Sequence, residues 1–214
     1  MVGQCGQRAV AVSSSGIEEP PSRGRRAAGS GTRERILAAA RAEFAERGYL
    51  AASVRAIARR AGVDPGLVRH YFGAKSDLFA AASGIRAQPE RLVSAVLRVP
   101  QEQRGEHLVR AFFTVWDNPE GRQRLRALVG SFATQPAELA RFREFLLQEI
   151  FGRVVAAAGG RDQGMRAALA ASQMFGLAGV RLMLEAEPLA SAEVEAVVAW
   201  VGPTIQRYLD PPED

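Results

Sequence analysis

Apolar positions along this chain recur at helical spacing almost from end to end. Ile36, Leu37, Ala40 and Phe44 share one face of a segment that Thr32 is expected to cap and Gly48 to end. A short second helix follows Ser53, with Val54, Ile57, Ala58 and Ala61 inward. Leu78 and Phe79 sit on the buried side of a helix starting near Ser76 or Asp77, and Pro89 marks a boundary. Helical patterns then cover 90–99 and about 102–116, the latter with Leu108, Ala111, Phe112, Val115 and Trp116. Asn118-Pro119 is a cap-plus-first-turn pair opening a helix with Leu125, Leu128, Val129 and Phe132. Pro136 opens a longer one with Leu139, Phe142, Leu146, Ile150 and Val154, closed by Gly159-Gly160. No alternating strand pattern and no Asn-Gly or Asp-Gly hairpin signal appears, so the fold class is all-α.

The last two helices are over-hydrophobic. Positions 162–184 are apolar almost all round from Met174 to Leu184, apart from Arg181. Such a helix must be covered on both sides. Ser191 is the expected cap of a final helix with Val194, Val197, Val198, Val201, Ile205 and Leu209 in a stripe, bent by Gly202-Pro203. Two such helices either close the core of one chain or join two copies. The second is the expectation, through Met174, Leu177, Arg181, Val194, Val198, Val201 and Ile205, with Arg181 pairing to an anionic group or to Glu185.

The densest local signal is Ala61-Gly62-Val63-Asp64-Pro65, which stops one helix and starts another within about four residues. Gly62 can take the left-handed conformation favoured at a helix C-terminus. Asp64 is a good N-cap, and Pro65 at the first helical position lacks an N–H that would go unpaired anyway. Val63 and Val68 then stand at the spacing of a hydrophobic staple. Two short helices joined so tightly describe a helix-turn-helix. Gly66, Arg69 and His70 are free to point outward while Val68 and Phe72 point in.

Charge changes the picture by its distribution. The 214 residues carry a net +5, with Lys75 as the sole lysine, and the arginine bias itself reads as GC-rich coding. Residues 1–30 hold +2, residues 31–87 hold +5 and the remainder −2. A basic first part on a slightly acidic second part suits a polyanion partner or, equally, a solvated arginine-rich face. Residues 1–30, rich in Ser, Gly, Pro and Arg, read as a disordered tail, either a basic arm or a mis-assigned start. Apolar runs such as 174–180 fall far short of the roughly 20 residues of a membrane span. The N-terminus lacks a secretory apolar core of ~7–15 residues. The single cysteine, Cys5, excludes a disulfide framework and a cysteine metal cluster. Cytoplasmic residence is the resulting expectation.

Residues 53–79 closely resemble the DNA-binding segment of TetR-type (TetR/AcrR) transcriptional regulators. The shared positions are Ile57, Ala58, Ala61, Gly62, Val63, Gly66, Tyr71, Phe72, Lys75 and Leu78, with Ser53 and Asp64 as alternative capping residues. The likeness covers roughly 32–80. It implies a three-helix DNA-binding head over 31–80 and a C-terminal helical bundle over 81–210 that binds an effector and dimerises. It also implies that Arg55 reaches a base edge, that Pro65, Gly66 and Leu67 present the recognition helix to the major groove, and that Arg69, His70 and Tyr71 divide between backbone and bases. Ser53 and Lys75 would clamp phosphates. The family usually has Tyr where this chain has Arg69, whose five donors suit a phosphate or guanine equally, so its base preference need not follow the family's.

The resemblance further implies a homodimer reading a palindrome in double-stranded DNA, with release by a small-molecule effector. Candidate pocket residues are Phe112, Phe113, Trp116, Phe132, Phe142 and Met174, each of which could instead be plain core. Their low charge points to a lipophilic effector. No catalytic residue, metal site or cofactor is expected: the only histidines are His70 and His107, and no nucleophile elbow or phosphate-cradling glycine loop appears. Two other functions remain open at this point. One is an effector-independent or nucleoid-type DNA-binding protein, the other an interaction module without DNA binding.

Overall fold

A computed structural model describes residues 24–210, with side chains from Gly31 onward. Among these residues the regular structure is entirely helical. Helix α1 (Gly24–Ala51) begins earlier than expected, so Thr32 lies inside it rather than capping it. No proline follows Pro21 up to Thr32, and Arg25, Arg26, Ala27 and Ala28 favour a helix, although Gly29 and Gly31 oppose it. The expected tail therefore divides. Residues 24–30 are helical, while 1–23, with Cys5, lie outside the described residues. At Gly48 (φ 75°, ψ 174°) α1 leaves helical geometry, a conformation suited to glycine, and its last turn swings Tyr49 into the core.

The head is completed by α2 (Val54–Ala61), α3 (Pro65–Phe72) and α4 (Lys75–Ala82). Gly62 caps α2 in the left-handed region (φ 64°, ψ 40°), with Val63 N donating to Ala58 O at 3.0 Å. The Asp64 carboxylate accepts from Gly66 N at 2.6 Å, a cap worth about 1 kcal/mol. Ile36, Ala40, Ile57, Ala58 and Val68 are buried together beneath this corner, and Val63 packs on the same cluster.

The body comprises α5 (Pro89–Arg98), a 3₁₀ turn (Gln101–Gln103), α6 (Arg104–Trp116), α7 (Pro119–Thr134), α8 (Pro136–Phe145), α9 (Gly152–Ala158), α10 (Gln163–Leu177) and α11 (Val194–Leu209). Asn118 caps α7 as expected, accepting from Gly121 N at 2.8 Å. The long helix expected from Pro136 is α8 and α9 joined by a π-helical turn, Leu146–Phe151. Gly152 permits it: a Cβ there would fall on the Leu147 carbonyl oxygen. A second π turn, Ala178–Met183, prolongs α10. Helices α6 and α11 make the most extensive pairing in the fold. Glycines let them approach, because a Cβ on Gly105 would lie 2.7 Å from Gln206 N and one on Gly202 2.7 Å from Glu106 Cγ. Gln206 stitches the contact, accepting from Gly105 N at 2.8 Å and donating to Gln101 O at 2.9 Å.

Three expectations for the last helices are corrected. Ser191 does not cap α11, which starts at Val194 after Glu193; the Ser191 hydroxyl donates to Glu187 Oε2 at 2.5 Å instead. Arg181 neither faces a second chain nor pairs with Glu185. It is buried, donates to Asp117 Oδ2 at 3.0 and 3.1 Å and to the Leu189 and Ala192 carbonyls, and lies 5.1 Å from the Phe113 ring centroid. Glu185 is taken by Arg126. Finally, Met174, Leu177, Val198 and Ile205 are buried within the chain's own core, and Val194 and Val201 are half-buried against it. The most hydrophobic stripe faces its own core because α6 and α9 cover it. The large apolar side chains left exposed on these elements are others, Met165, Leu169, Phe175, Val180, Leu184 and Trp200, of which Phe175 also meets the Phe142 ring edge-on at 6.2 Å.

Candidate nucleic-acid interface

The head presents one polar, basic surface. On α3 the buried Val68 fixes the helix's rotation, which leaves Gly66, Leu67, Arg69 and His70 exposed. Pro65 and Tyr71 are half-buried at either end, and the His70 and Tyr71 rings meet edge-on at 5.7 Å. Phe72, expected to point in, is half-buried against the core, and the Arg33 guanidinium lies over its ring, 5.1 Å from the centroid. Ser53 caps α2, its hydroxyl accepting from Ala56 N at 3.1 Å, which leaves the hydroxyl proton free to donate to an anion. Arg55, Arg59 and Arg69 are exposed and have no carboxylate partner among the described residues. Arg60, by contrast, is tied to Glu46 and Glu43. Its guanidinium hydrogen bond holds the Glu46 carboxyl below the usual carboxylate range.

Arg59 is therefore a candidate contact that the sequence motif did not single out. Its signal was present: it lies four residues after Arg55, hence on the same face of α2.

Lys75 stands apart from the other expected contacts. Its ammonium donates to Leu50 O at 3.1 Å and sits 4.5 Å from the Tyr49 ring centroid. Burial lowers its pKa, opposed by the Glu149 and Glu144 carboxylates. The group expected to clamp a phosphate thus joins the start of α4 to the end of α1. The seam between head and body lies alongside. Tyr49, Phe79 and Phe145 pack with centroids 4.8–5.6 Å apart. The Tyr49 hydroxyl is buried without a hydrogen bond, and burial followed by the nearby Glu149 carboxylate pushes its pKa up. Arg153 on α9 closes the seam by pairing with Glu90 on α5 at 2.6 and 3.0 Å.

Beneath the seam lies a cavity of about 110 Å³ whose lining is apolar throughout. Of the expected pocket residues, Phe112, Trp116, Phe142 and Met174 line it. Phe113 does not; it packs in the core beside Arg181. Phe132 lines a second, larger hollow of about 470 Å³, which shares Phe142. Other walls of the first cavity come from Ile85, Ala87 and Pro89 in the α4–α5 connection, and from Phe145, Ile150 and Phe151 at the π turn. Ile150 belongs to the apolar stripe expected from Pro136, whereas its neighbour Phe151 on the π turn lies off that stripe.

Two segments of the chain match known family models. Residues 36–82 match the bacterial regulatory proteins of the tetR family, and residues 102–209 match the tetracyclin repressor-like C-terminal domain. The chain belongs to the TetR family. It is accordingly a helix-turn-helix, DNA-binding transcriptional regulator. Relatives of this TetR protein include the HTH-type transcriptional regulator BetI of Rhizobium meliloti (strain 1021), 28% identical over 194 residues, 83% of this chain and 89% of BetI. Among solved structures, a TetR-family regulator from Streptomyces coelicolor A3 is 35% identical, covering 84% of this chain and 95% of that one, with a TM-score of 0.42. NalD, the secondary repressor of the MexAB-OprM multidrug efflux pump in Pseudomonas aeruginosa, is 20% identical, covering 87% and 100%, with a TM-score of 0.47. Among the described residues no helix is long and apolar enough to cross a membrane.

Proposed function

We propose that this TetR-family regulator is a homodimeric repressor that binds a palindromic operator and is released by a small, largely apolar effector. The observation that carries the reading is the apolar cavity of about 110 Å³, whose walls include the α4–α5 connection and Phe145, which packs against the head. An occupant would press on Ile85–Pro89, the only covalent connection from head to body, and on Phe145, which packs against Tyr49 and Phe79 of the head. A ligand that binds better when the heads are splayed shifts the population away from the DNA-binding state.

The DNA-facing set in this reading is Ser53, Arg55, Pro65, Gly66, Leu67, Arg69, His70 and Tyr71, with Arg59 added. Dimerisation is assigned to the outward face of α10 and α11. Six of the nine exposed large hydrophobics among the described residues lie on α10, on the π turn that prolongs it with the adjoining Leu184, and on α11, including Trp200 at 83% and Leu184 at 75% exposure. A patch of that kind on a soluble chain is an interaction surface. A two-fold dimer would set two α3 helices into successive major grooves, about 34–36 Å apart.

Selection of genomic fragments by the purified protein tests the reading. One palindromic motif is the expected result. Diffuse recovery would replace it with an architectural role, and no recovery would replace it with an interaction module that does not bind DNA.

A further inference from the structure

The two hollows differ sharply in chemistry yet share a wall. The inner cavity is apolar throughout, while the outer one carries Arg41, Arg124 and Arg141 against a single acid, Glu138. Phe142 lines both, and its ring stacks 5.4 Å from Phe132 on the outer side. Arg41 donates through Nε to Ala82 O at 3.0 Å. Neither Arg41 nor Arg124 has a carboxylate partner among the described residues, and Arg141 lies 3.9 Å from Glu138. Arg124 and Arg141, half-buried, and Arg41, exposed, line this hollow together with Phe44, Phe79 and Leu128, and guanidinium charge left over beside apolar surface is the complement of an anion on an apolar stem.

We infer that the effector is an amphipathic anion, a carboxylate or comparable acid on an alkyl or aryl tail. The tail enters the inner cavity past Phe142, and the acid rests on the outer arginines. The inference rests on the proposed effector cavity and names the ligand class it takes. The inner cavity, smaller than the dry cavity of about 150 Å³ that holds one benzene ring, takes the end of a flexible chain, and the rest of the chain lies along Phe142 in the hollow of about 470 Å³. The outer hollow joins the head, through Arg41 on α1, to the body, through Arg124 on α7 and Arg141 on α8. An acid held between them would bridge the very seam that must move.

Three probes with one tail and different heads test this without DNA: octanoate, 1-octanol and octyltrimethylammonium. Binding is read from the fluorescence of Trp116, which lines the inner cavity, in a Trp200→Phe background. Octanoate should bind roughly tenfold or more tighter than octanol at low salt, with octyltrimethylammonium weakest, and added salt should narrow the gap. In Arg124→Gln/Arg141→Gln protein the octanoate advantage should vanish while octanol affinity stays, which also shows the variant is folded. Equal binding of all three heads, or preference for the cation, overturns the anion site and leaves the apolar cavity standing. Failure of every tail to bind overturns the cavity reading itself.

Discussion

Replacing Arg181 by methionine separates two roles for this residue, an internal lock and a contact with a second chain. The guanidinium is 4% exposed and makes two bonds to Asp117 and one each to the Leu189 and Ala192 carbonyls. Removing one partner of a buried ion pair costs about 3–5 kcal/mol, because the other charge stays desolvated. Asp117 keeps Arg122, whose Nε lies 3.1 Å from Oδ1, which holds the loss toward the lower end. The two carbonyls that lose a donor add about 1 kcal/mol each where water cannot reach them. A loss of about 3–5 kcal/mol is therefore expected, a large part of the roughly 5–15 kcal/mol that holds a domain folded. Urea unfolding at fixed protein concentration, repeated at tenfold dilution, measures it. Adding Asp117→Leu should recover part of the loss, since the half-paired carboxylate would no longer be held desolvated, its Arg122 partner being free to turn to solvent. A loss under about 1 kcal/mol, or a weakened dimer with unchanged protomer stability, would refute the internal role.

Arg55→Ala should weaken binding to the selected site by roughly 1–3 kcal/mol and relax preference at one base pair, read by competition with single-base variants; unchanged preference would remove Arg55 from the base edge. Lys75→Ala should lower unfolding stability by about 1–2 kcal/mol through the lost Leu50 bond and Tyr49 contact. The same change should leave the salt slope of DNA affinity unaltered; a slope smaller by about one would restore the phosphate contact. Trp200→Glu should weaken self-association roughly tenfold or more in sedimentation, because two-fold symmetry places each new charge against its partner's patch. The Arg153 hydrogen bond holds the Glu90 carboxyl below its usual range. Its contribution is thus present above the unfolded carboxylate value and lost as pH falls through the lowered folded one. Glu90→Gln should flatten the acid limb of stability against pH, and an unchanged limb would exclude the pair as its source.

The head was legible because short-range chemistry dictates it. Gly62, Asp64 and Pro65 each demand one backbone conformation, and the structure supplies all three within a single turn. The body was legible as helices but not as faces. Periodicity found the stripe Val194–Val198–Val201–Ile205 and could not say which neighbour covers it; α6 does, through Gly105 and Gly202, whose missing side chains leave no hydrophobic trace. The exposed side chains Phe175, Val180 and Leu184 lie in the run from Met174 to Leu184 whose all-round apolar character called for cover on both sides, whereas Trp200 on α11 lies off the expected stripe. Of the six residues proposed as a pocket, interior aromatics and one methionine, Phe112, Trp116, Phe142 and Met174 line the apolar cavity, while Phe151, off the Leu146–Ile150 stripe, and Ala87 and Pro89 in the α4–α5 connection carried no such mark in the sequence. Arg181 was misplaced for a related reason: its partner Asp117 is 64 positions away, beyond any local pattern.

Ligand-gated release is tested most directly by the coupling between the two sites. The affinity of the protein for its selected palindromic fragment is measured with and without saturating octanoate, and octanoate affinity with and without the fragment. Coupling free energies of this kind correspond to roughly 5–150-fold changes and are reciprocal. Octanoate should weaken DNA binding at least about fivefold, and DNA should weaken octanoate binding by the same factor. Octanoate bound in the cavity with DNA affinity unchanged would contradict gating of the head by the cavity.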